Sequence, residues 1–174
     1  TPMGSFTTPL SGSSAKNYVL FAGGSGITPM MSILKSILHI EKNSKITLVY
    51  ANRNADSVIF KDQISDIVEK QAGHVKLISV FDESNDANLA DYQKGILNKE
   101  KAKALIEKNN LSTADEYFIC GPGPLMETLK DIITDEKERK KHIIENMLYM
   151  CELNKKNVLI CKQIFNFNNE YKMN

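Results

Sequence analysis

Three glycines within four residues form the part of this sequence with the clearest capacity for chemistry. An apolar run from Tyr18 to Ala22 leads into Gly23-Gly24-Ser25-Gly26, and an apolar pattern at helical spacing begins at Ile27. The pattern predicts a buried strand, a tight turn, and a helix whose first N–H groups have no partner within the helix. The positive end of the helix dipole and the lack of side chains in the turn favour a bound phosphate or pyrophosphate.

The turn departs from the usual dinucleotide fingerprint. Gly24-Ser25-Gly26-Ile27-Thr28-Pro29 carries a proline where G-x-G-x-x-G has its last glycine. Proline suits the first turn of a helix because its fixed φ is helical and the missing N–H would be unpaired there anyway. The alternative is a plain corner between strand and helix, although three glycines exceed what one turn needs.

The elements that must position this turn alternate regularly along the chain. Strand patterns cover residues 17–22, 46–51, 75–81 and 116–120, and helical patterns cover 27–38, 57–72, 99–108 and 125–133. A polar segment, 82–97, holds a turn at Lys94-Gly95. Such alternation predicts an α/β fold, a three-layer Rossmann-like parallel sheet with helices on both faces. Strand order 3-2-1-4-5 would bring the turn at Gly121–Pro124 to the same crevice as the glycine-rich turn.

Composition excludes several classes of function. The 174 residues are 42% hydrophobic, which suits one buried core, and the net charge of +1 with no basic stripe predicts no nucleic-acid partner. No apolar stretch reaches the ~20 residues of a membrane span, so we expect no membrane partner. Three cysteines, an odd number, fit a reducing cytoplasm, and the three scattered histidines predict no metal site.

Three motifs together resemble a known family. They are AGGSGITPM (Ala22–Met30), the strand end Tyr50–Arg53, and FICGPGPLM (Phe118–Met126). In this order and spacing they resemble the NAD(P)-binding domain of the ferredoxin–NADP reductase superfamily over residues 17–147. The reductase components of the phenylacetate-degradation (phenylacetyl-CoA epoxidase) type are most similar, and cytochrome b5 reductase and flavohaemoglobin domains carry related motifs.

The resemblance implies that this chain binds NADP or NAD, while FAD is held mainly by a domain absent from this chain. The implied cofactor-binding residues are Gly23, Gly24, Ser25, Gly26, Ile27, Thr28, Pro29, Asn52, Arg53, Cys120, Gly121, Pro122, Gly123, Pro124 and Met126.

The implied catalytic residues are Thr28, Cys120 and Glu145. Thr28 would lie where flavin and nicotinamide meet, and Cys120 beside the nicotinamide ring. The alternative for Cys120 is a plain core side chain. Glu145 lies in an Ile-Glu-Asn-Met segment, in which Met147 replaces the aromatic residue of the family.

Arg53 bears on the choice of nucleotide. It follows a strand end where such folds contact the adenosine ribose, and no acidic residue occupies positions 51–54. A guanidinium pairs well with a 2′-phosphate, whereas an acid would bind a free 2′-hydroxyl. The sequence therefore predicts a preference for NADPH; the alternative is a solvated surface arginine.

Domain organisation follows from the same resemblance. Residues 1–15 are expected to be the end of a preceding flavin-binding barrel or a linker, because Pro2–Phe6 resembles its last stretch. Residues 16–150 form the NAD(P)-binding domain, and 151–174 a tail, either an edge strand or disordered. The chain starts at Thr1 and is expected to be one piece of a longer protein, inactive without its FAD domain.

The cysteines near the end of the sequence do not suit an iron–sulfur cluster. Cys151 and Cys161 lack the C-x4-C-x2-C spacing of a ferredoxin cluster.

The predicted function is the NAD(P)H-binding module of a flavin-dependent oxidoreductase. Electrons would pass from NAD(P)H via FAD to an oxygenase or iron–sulfur partner, and a ferredoxin domain is a further expected partner. The alternatives are a cytochrome b5 reductase-like or flavohaemoglobin-like domain, a non-catalytic nucleotide-binding regulatory module, and a protein-interaction fragment with a vestigial loop.

Overall fold

One parallel sheet organises the chain. The computed structural model describes residue 6 and residues 8–133, and its four strands lie in the order β3-β2-β1-β4. The strands are β1 (Asn17–Gly23), β2 (Lys45–Asn52), β3 (Val75–Phe81) and β4 (Glu116–Cys120). The helices are α1 (Ile27–Ile40), α2 (Lys61–Lys70), α3 (Lys99–Lys108) and α4 (Gly123–Ile133). The predicted α/β alternation and the order 3-2-1-4 are confirmed.

Strands β1 and β4 are buried on both faces, as their continuous apolar sequences predict, whereas the edge strand β3 is only partly buried on one face. Along β1, Tyr18 and Leu20 join the core beneath α1 and α2, whereas Val19 and Phe21 join the core beneath α3 and α4. Helices therefore cover both faces of the sheet, and the three-layer arrangement is confirmed.

Two helices differ from their predicted bounds. Helix α2 begins at Lys61 rather than at residue 57, because Ala55–Ser57 forms a separate 3-10 turn and Phe60 adopts the left-handed region at φ 59°. Helix α4 begins at Gly123, two residues before the prediction, because Pro124 is compatible with a first helical turn. The second turn is thereby reduced to Gly121-Pro122.

Several predictions lie outside the described residues. A fifth strand would follow α4, and Glu145 and the tail 151–174 also come after Ile133. Among the described residues, none of the helices combines the length and apolar character needed to cross a bilayer.

A buried carboxylate fixes the segment before β1 to the end of α1. Glu41 is 1% exposed and accepts hydrogen bonds from the Ser11 N–H at 3.0 Å, the Tyr18 hydroxyl at 3.0 Å and the Ser44 hydroxyl at 2.7 Å. Nearby, the Phe6 ring packs edge-on against Phe118, with 5.6 Å between ring centroids. The described residues that precede β1, residue 6 and residues 8–16, are thus tied to the packed domain.

We predict that Glu41 makes stability depend on pH. Burial acts to raise the pKa of its carboxyl, but the hydrogen bonds from Ser44, Ser11 and Tyr18 outweigh burial and hold that pKa below its ordinary value. A lowered folded-state pKa stabilises the protein above the ordinary glutamate pKa of about 4.3, and this contribution is lost as pH falls through the folded value. At pH 7, the free energy of unfolding of Glu41→Gln should be about 1–3 kcal/mol lower than that of wild type.

Urea unfolding between pH 7 and about pH 3.5 measures the difference in unfolding free energy between wild type and Glu41→Gln. This difference should shrink at the acidic end of the range. The exposed Glu69 of α2 provides the control, and Glu69→Gln should match wild type. Equal stability of Glu41→Gln and wild type at pH 7 would show that the carboxylate is not an anchor.

Candidate functional site

The two glycine-containing turns meet at the carboxyl end of the sheet. Ala22 of β1 pairs with Cys120 of β4, so the turn after each strand begins beside the other. A Cβ placed on Gly23 would lie 2.8 Å from Cδ of Pro122, and one placed on Gly26 would overlap the Cys120 carbonyl. Glycine is required at both positions by this close approach. Strands β1 and β4 are neighbours, as predicted, and their two turns are in contact; that they line one ligand crevice stays a prediction.

Gly24 is required for a different reason. Its φ is +51°, a conformation that side chains disfavour, and a Cβ there would have no heavy atom within 4 Å. The space beside Gly24 is therefore open, whereas Gly26 is closed in by protein backbone. A ligand can approach the backbone at Gly24.

The start of α1 is well suited to an anion. Gly24–Gly26 forms a single 3-10 turn that passes directly into the 14-residue helix. The helix has no side-chain cap and no acidic residue in its first turn. Ser25 and Thr28 are exposed beside it, and Ile27 is fully buried beneath it. The positive end of the helix dipole is thus not neutralised by the protein itself.

Tyr50 is a residue of the site that the sequence reasoning did not assign a role. Its ring is 2% exposed, and its hydroxyl donates to the Gly24 carbonyl at 3.1 Å and accepts from the Ile59 N–H at 3.3 Å. Burial raises the pKa of this hydroxyl, and the contacts with Ile59 and Asn52 lower that pKa by a smaller amount. The hydroxyl therefore keeps its proton and remains a donor at neutral pH. A tyrosine in an otherwise apolar strand was the available signal, since a buried hydroxyl needs a partner.

Asn52, the last residue of β2, carries a buried amide with unused hydrogen-bonding capacity. The residue is 6% exposed, and neither its amide nitrogen nor its amide oxygen makes a hydrogen bond of good geometry with any other described residue. Buried polar groups are normally paired, and an unpaired one destabilises the fold. Both amide atoms are closed off from solvent, so a ligand would reach them only after this strand end shifts. The open space at Gly24 fits a ligand that lies at the carboxyl ends of β1 and β2.

Arg53 follows Asn52 and points into solvent. Its Nε donates to Oε1 of Glu83 at 2.8 Å, and the two side chains are 73% and 56% exposed. Glu83 follows β3, which pairs in parallel with β2. The sequence has no acid within positions 51–54, around Arg53. An acid thirty residues away along the chain lies beside it.

The residues at the end of β4 divide between two environments. Cys120 is 7% exposed and belongs to the core beneath α1, while Gly121 lies against the glycine-rich turn, so that a Cβ placed on it would be 3.0 Å from the Gly23 nitrogen. Pro122, Gly123 and Pro124 are exposed around the start of α4. Met126 instead packs against the core on the α3 side, and its N–H bonds the Pro122 carbonyl at 3.1 Å. Its role in cofactor binding stays a prediction.

No cluster of three or more His, Cys, Asp or Glu side chains suitable for a metal ion occurs in the part of the chain that the structure describes. The polar groups of the site are backbone N–H groups, hydroxyls and one amide, which suit an organic anion.

Two proteins of known activity are similar in sequence. The chain is 35% identical over 111 residues to one subunit of the 1,2-phenylacetyl-CoA epoxidase of Escherichia coli, covering 63% of this chain and 31% of that protein. It is 34% identical over 113 residues to a "3-ketosteroid-9-alpha-monooxygenase, ferredoxin reductase component" of Rhodococcus rhodochrous, covering 65% of this chain and 28% of that protein. The chain spans about a third of the length of these relatives.

Solved structures share the fold. The Amycolatopsis cytochrome P450 reductase GcoB matches with a TM-score of 0.62 at 20% identity, over 80% of this chain and 39% of that chain. The cytochrome b5 reductase domain of Ulva prolifera nitrate reductase matches with a TM-score of 0.60 at 21% identity, over 78% of this chain and 54% of that chain.

The family model described as "Oxidoreductase NAD-binding domain" matches residues 20–131, a segment that begins in β1 and ends in α4. This segment contains both glycine-containing turns and the strand end at Asn52. The chain therefore belongs to the oxidoreductase NAD-binding domain family.

Proposed function

We propose that this chain is the NAD(P)H-binding module of a flavin-dependent oxidoreductase that passes electrons via FAD to an oxygenase or iron–sulfur partner. The observation that carries the proposal is the open backbone at Gly24, set at the uncapped start of α1 and against the end of β4. FAD is bound mainly by a domain outside these 174 residues, and the chain needs that domain for turnover.

The turn from Gly23 to Pro29 holds the pyrophosphate in this proposal. Gly24 lets the phosphate oxygens approach the main chain, and the dipole of α1 stabilises their charge. The exposed hydroxyls of Ser25 and Thr28 are further donors. The Tyr50 hydroxyl holds the Gly24 carbonyl away from the phosphate, because it engages that oxygen in a hydrogen bond.

The end of β4 forms the nicotinamide end of the site. A bound nicotinamide would supply a hydride to flavin. Cys120 and Gly121 would form the wall that orients the ring and excludes water, since both lie against the glycine-rich turn. Pro122, Gly123 and Pro124 would line the solvent-facing side of the nicotinamide end of the site.

The carboxyl end of β2 forms the adenosine end. The Asn52 amide, whose contact with Tyr50 lacks good hydrogen-bond geometry, would turn toward the ribose or its phosphate and gain a full hydrogen bond there. Arg53 is the residue that would contact a 2′-phosphate if the nucleotide is NADPH.

An oxygenase is the acceptor that the relatives favour. The two relatives described above are named as a subunit of an epoxidase and as a reductase component of a monooxygenase, at 35% and 34% identity. An "NADH-cytochrome b5 reductase 2" of Lodderomyces elongisporus matches at 30% identity. We therefore place a cytochrome b5 reductase-like role second.

We predict that Gly24→Ala weakens the binding of NADH and NADPH by about tenfold or more, because a Cβ would occupy the space of the pyrophosphate. Isothermal calorimetry of the 174-residue chain measures both affinities. Gly73→Ala is the matched control: Gly73 also has a positive φ, +92°, and open space around its Cβ, but it lies at the opposite end of the sheet. If wild type bound neither nucleotide, or if both variants lost affinity equally, this turn would not be the phosphate site.

Gly26→Ala should act on the fold rather than on the ligand. Its Cβ would overlap the Cys120 carbonyl, so the turn and β4 must separate, and overpacking of this kind costs about 1–3 kcal/mol. Urea unfolding of the ligand-free chain measures the loss. Gly123→Ala, where a Cβ meets nothing within 4 Å, should unfold close to wild type. Equal stability of Gly26→Ala and wild type would contradict the packing described for the two turns.

A further inference from the structure

We propose that Glu83 determines the choice between NADPH and NADH, because it competes with the 2′-phosphate for the Arg53 guanidinium. The inference rests on the proposed function and adds to it a residue from a different strand.

The position of Glu83 is set by the backbone. Beyond the paired ends of β2 and β3, the Asp82 N–H donates to the Asn52 carbonyl at 3.0 Å, and the Glu83 N–H donates to the Arg53 carbonyl at 2.8 Å. These bonds extend the parallel pairing past the sheet. Glu83 and Arg53 are therefore held side by side whether or not their side chains interact.

The side chains complete the pair. Arg53 donates from Nε to Oε1 of Glu83 at 2.8 Å, which occupies one edge of the guanidinium. A phosphate that binds this guanidinium in a bidentate manner must displace the carboxylate or accept its repulsion at close range. Both side chains are more than half exposed, so water screens the pair and the competition is moderate.

A second acid strengthens the negative potential at this position. Burial and then the charge of Glu83 raise the pKa of Asp82, whereas Lys101 lowers it. Two acidic residues, Asp82 and Glu83, therefore follow β3 directly. The bases near this strand end include Lys94, which pairs with Phe81, and Lys101, which acts on Asp82. The two acids reduce the attraction that Arg53 alone would offer to a doubly charged ligand group.

NADH and NADPH differ only at the 2′ position, so the ratio of their affinities isolates this effect from changes in the rest of the fold. Glu83→Gln should shift the ratio of the two affinities toward NADPH by about fivefold, measured by calorimetry on the 174-residue chain at low salt. The shift should decrease at high salt, because the interacting groups are exposed. In an Arg53→Ala background the same substitution should produce a smaller shift.

Asp86→Asn provides the matched control. Asp86 lies in the same loop and carries the same charge, but its carboxylate accepts hydrogen bonds from Asn88 rather than from Arg53. This variant should leave the ratio unchanged.

Three outcomes would overturn the inference while the proposed function survives. They are an unchanged ratio in Glu83→Gln, an equal shift in Asp86→Asn, and an undiminished shift in the Arg53→Ala background. If wild type bound neither nucleotide, both the inference and the proposed function would be overturned.

Discussion

The contact between the glycine-rich turn and the end of β4 is the constraint on which the rest of the site depends. Gly26 lies so close to the Cys120 carbonyl that no side chain fits, and Gly23 approaches Pro122 in the same way. This packing brings the start of α1 and the end of β4 together. Because Gly26 and Gly23 are used for packing, Gly24 is left as the position where the backbone is open to a ligand.

A buried tyrosine connects this turn to the next strand. The Tyr50 hydroxyl bonds both the Gly24 carbonyl and the Ile59 N–H, so it links the turn after β1 to the segment after β2. Asn52 lies two residues further on, with an amide that the described part of the protein does not satisfy. The two strand ends are therefore rigidly related on the side that would hold the phosphates. An unpaired polar group within that rigid frame costs stability in the free protein and favours binding.

At the proposed adenosine end, the Arg53–Glu83 pair depends on electrostatic attraction rather than on packing. Arg53 and Glu83 are exposed, and their interaction is screened by water and by salt. In the proposed function, packing would fix where the phosphates lie, whereas weak electrostatics would decide which nucleotide is preferred. Such a preference can be changed by substitutions at the surface with little effect on the fold, because neither side chain belongs to the core.

The sequence by itself determined the elements and their order. The bounds of β3, α3 and β4 follow from apolar runs and periodic patterns between polar segments, and the position of the glycine-rich turn between strand and helix follows from local geometry. The left-handed Phe60 was missed because a positive φ is uncommon outside glycine, and the early start of α4 was missed because Gly123 and Pro124 were assigned to a turn. Only the tertiary structure placed Glu83 beside Arg53 and the Ser11 N–H on Glu41, each pair thirty residues apart. Such pairs depend on the register between strands and on how helices pack across the sheet, and no local pattern of residues encodes either.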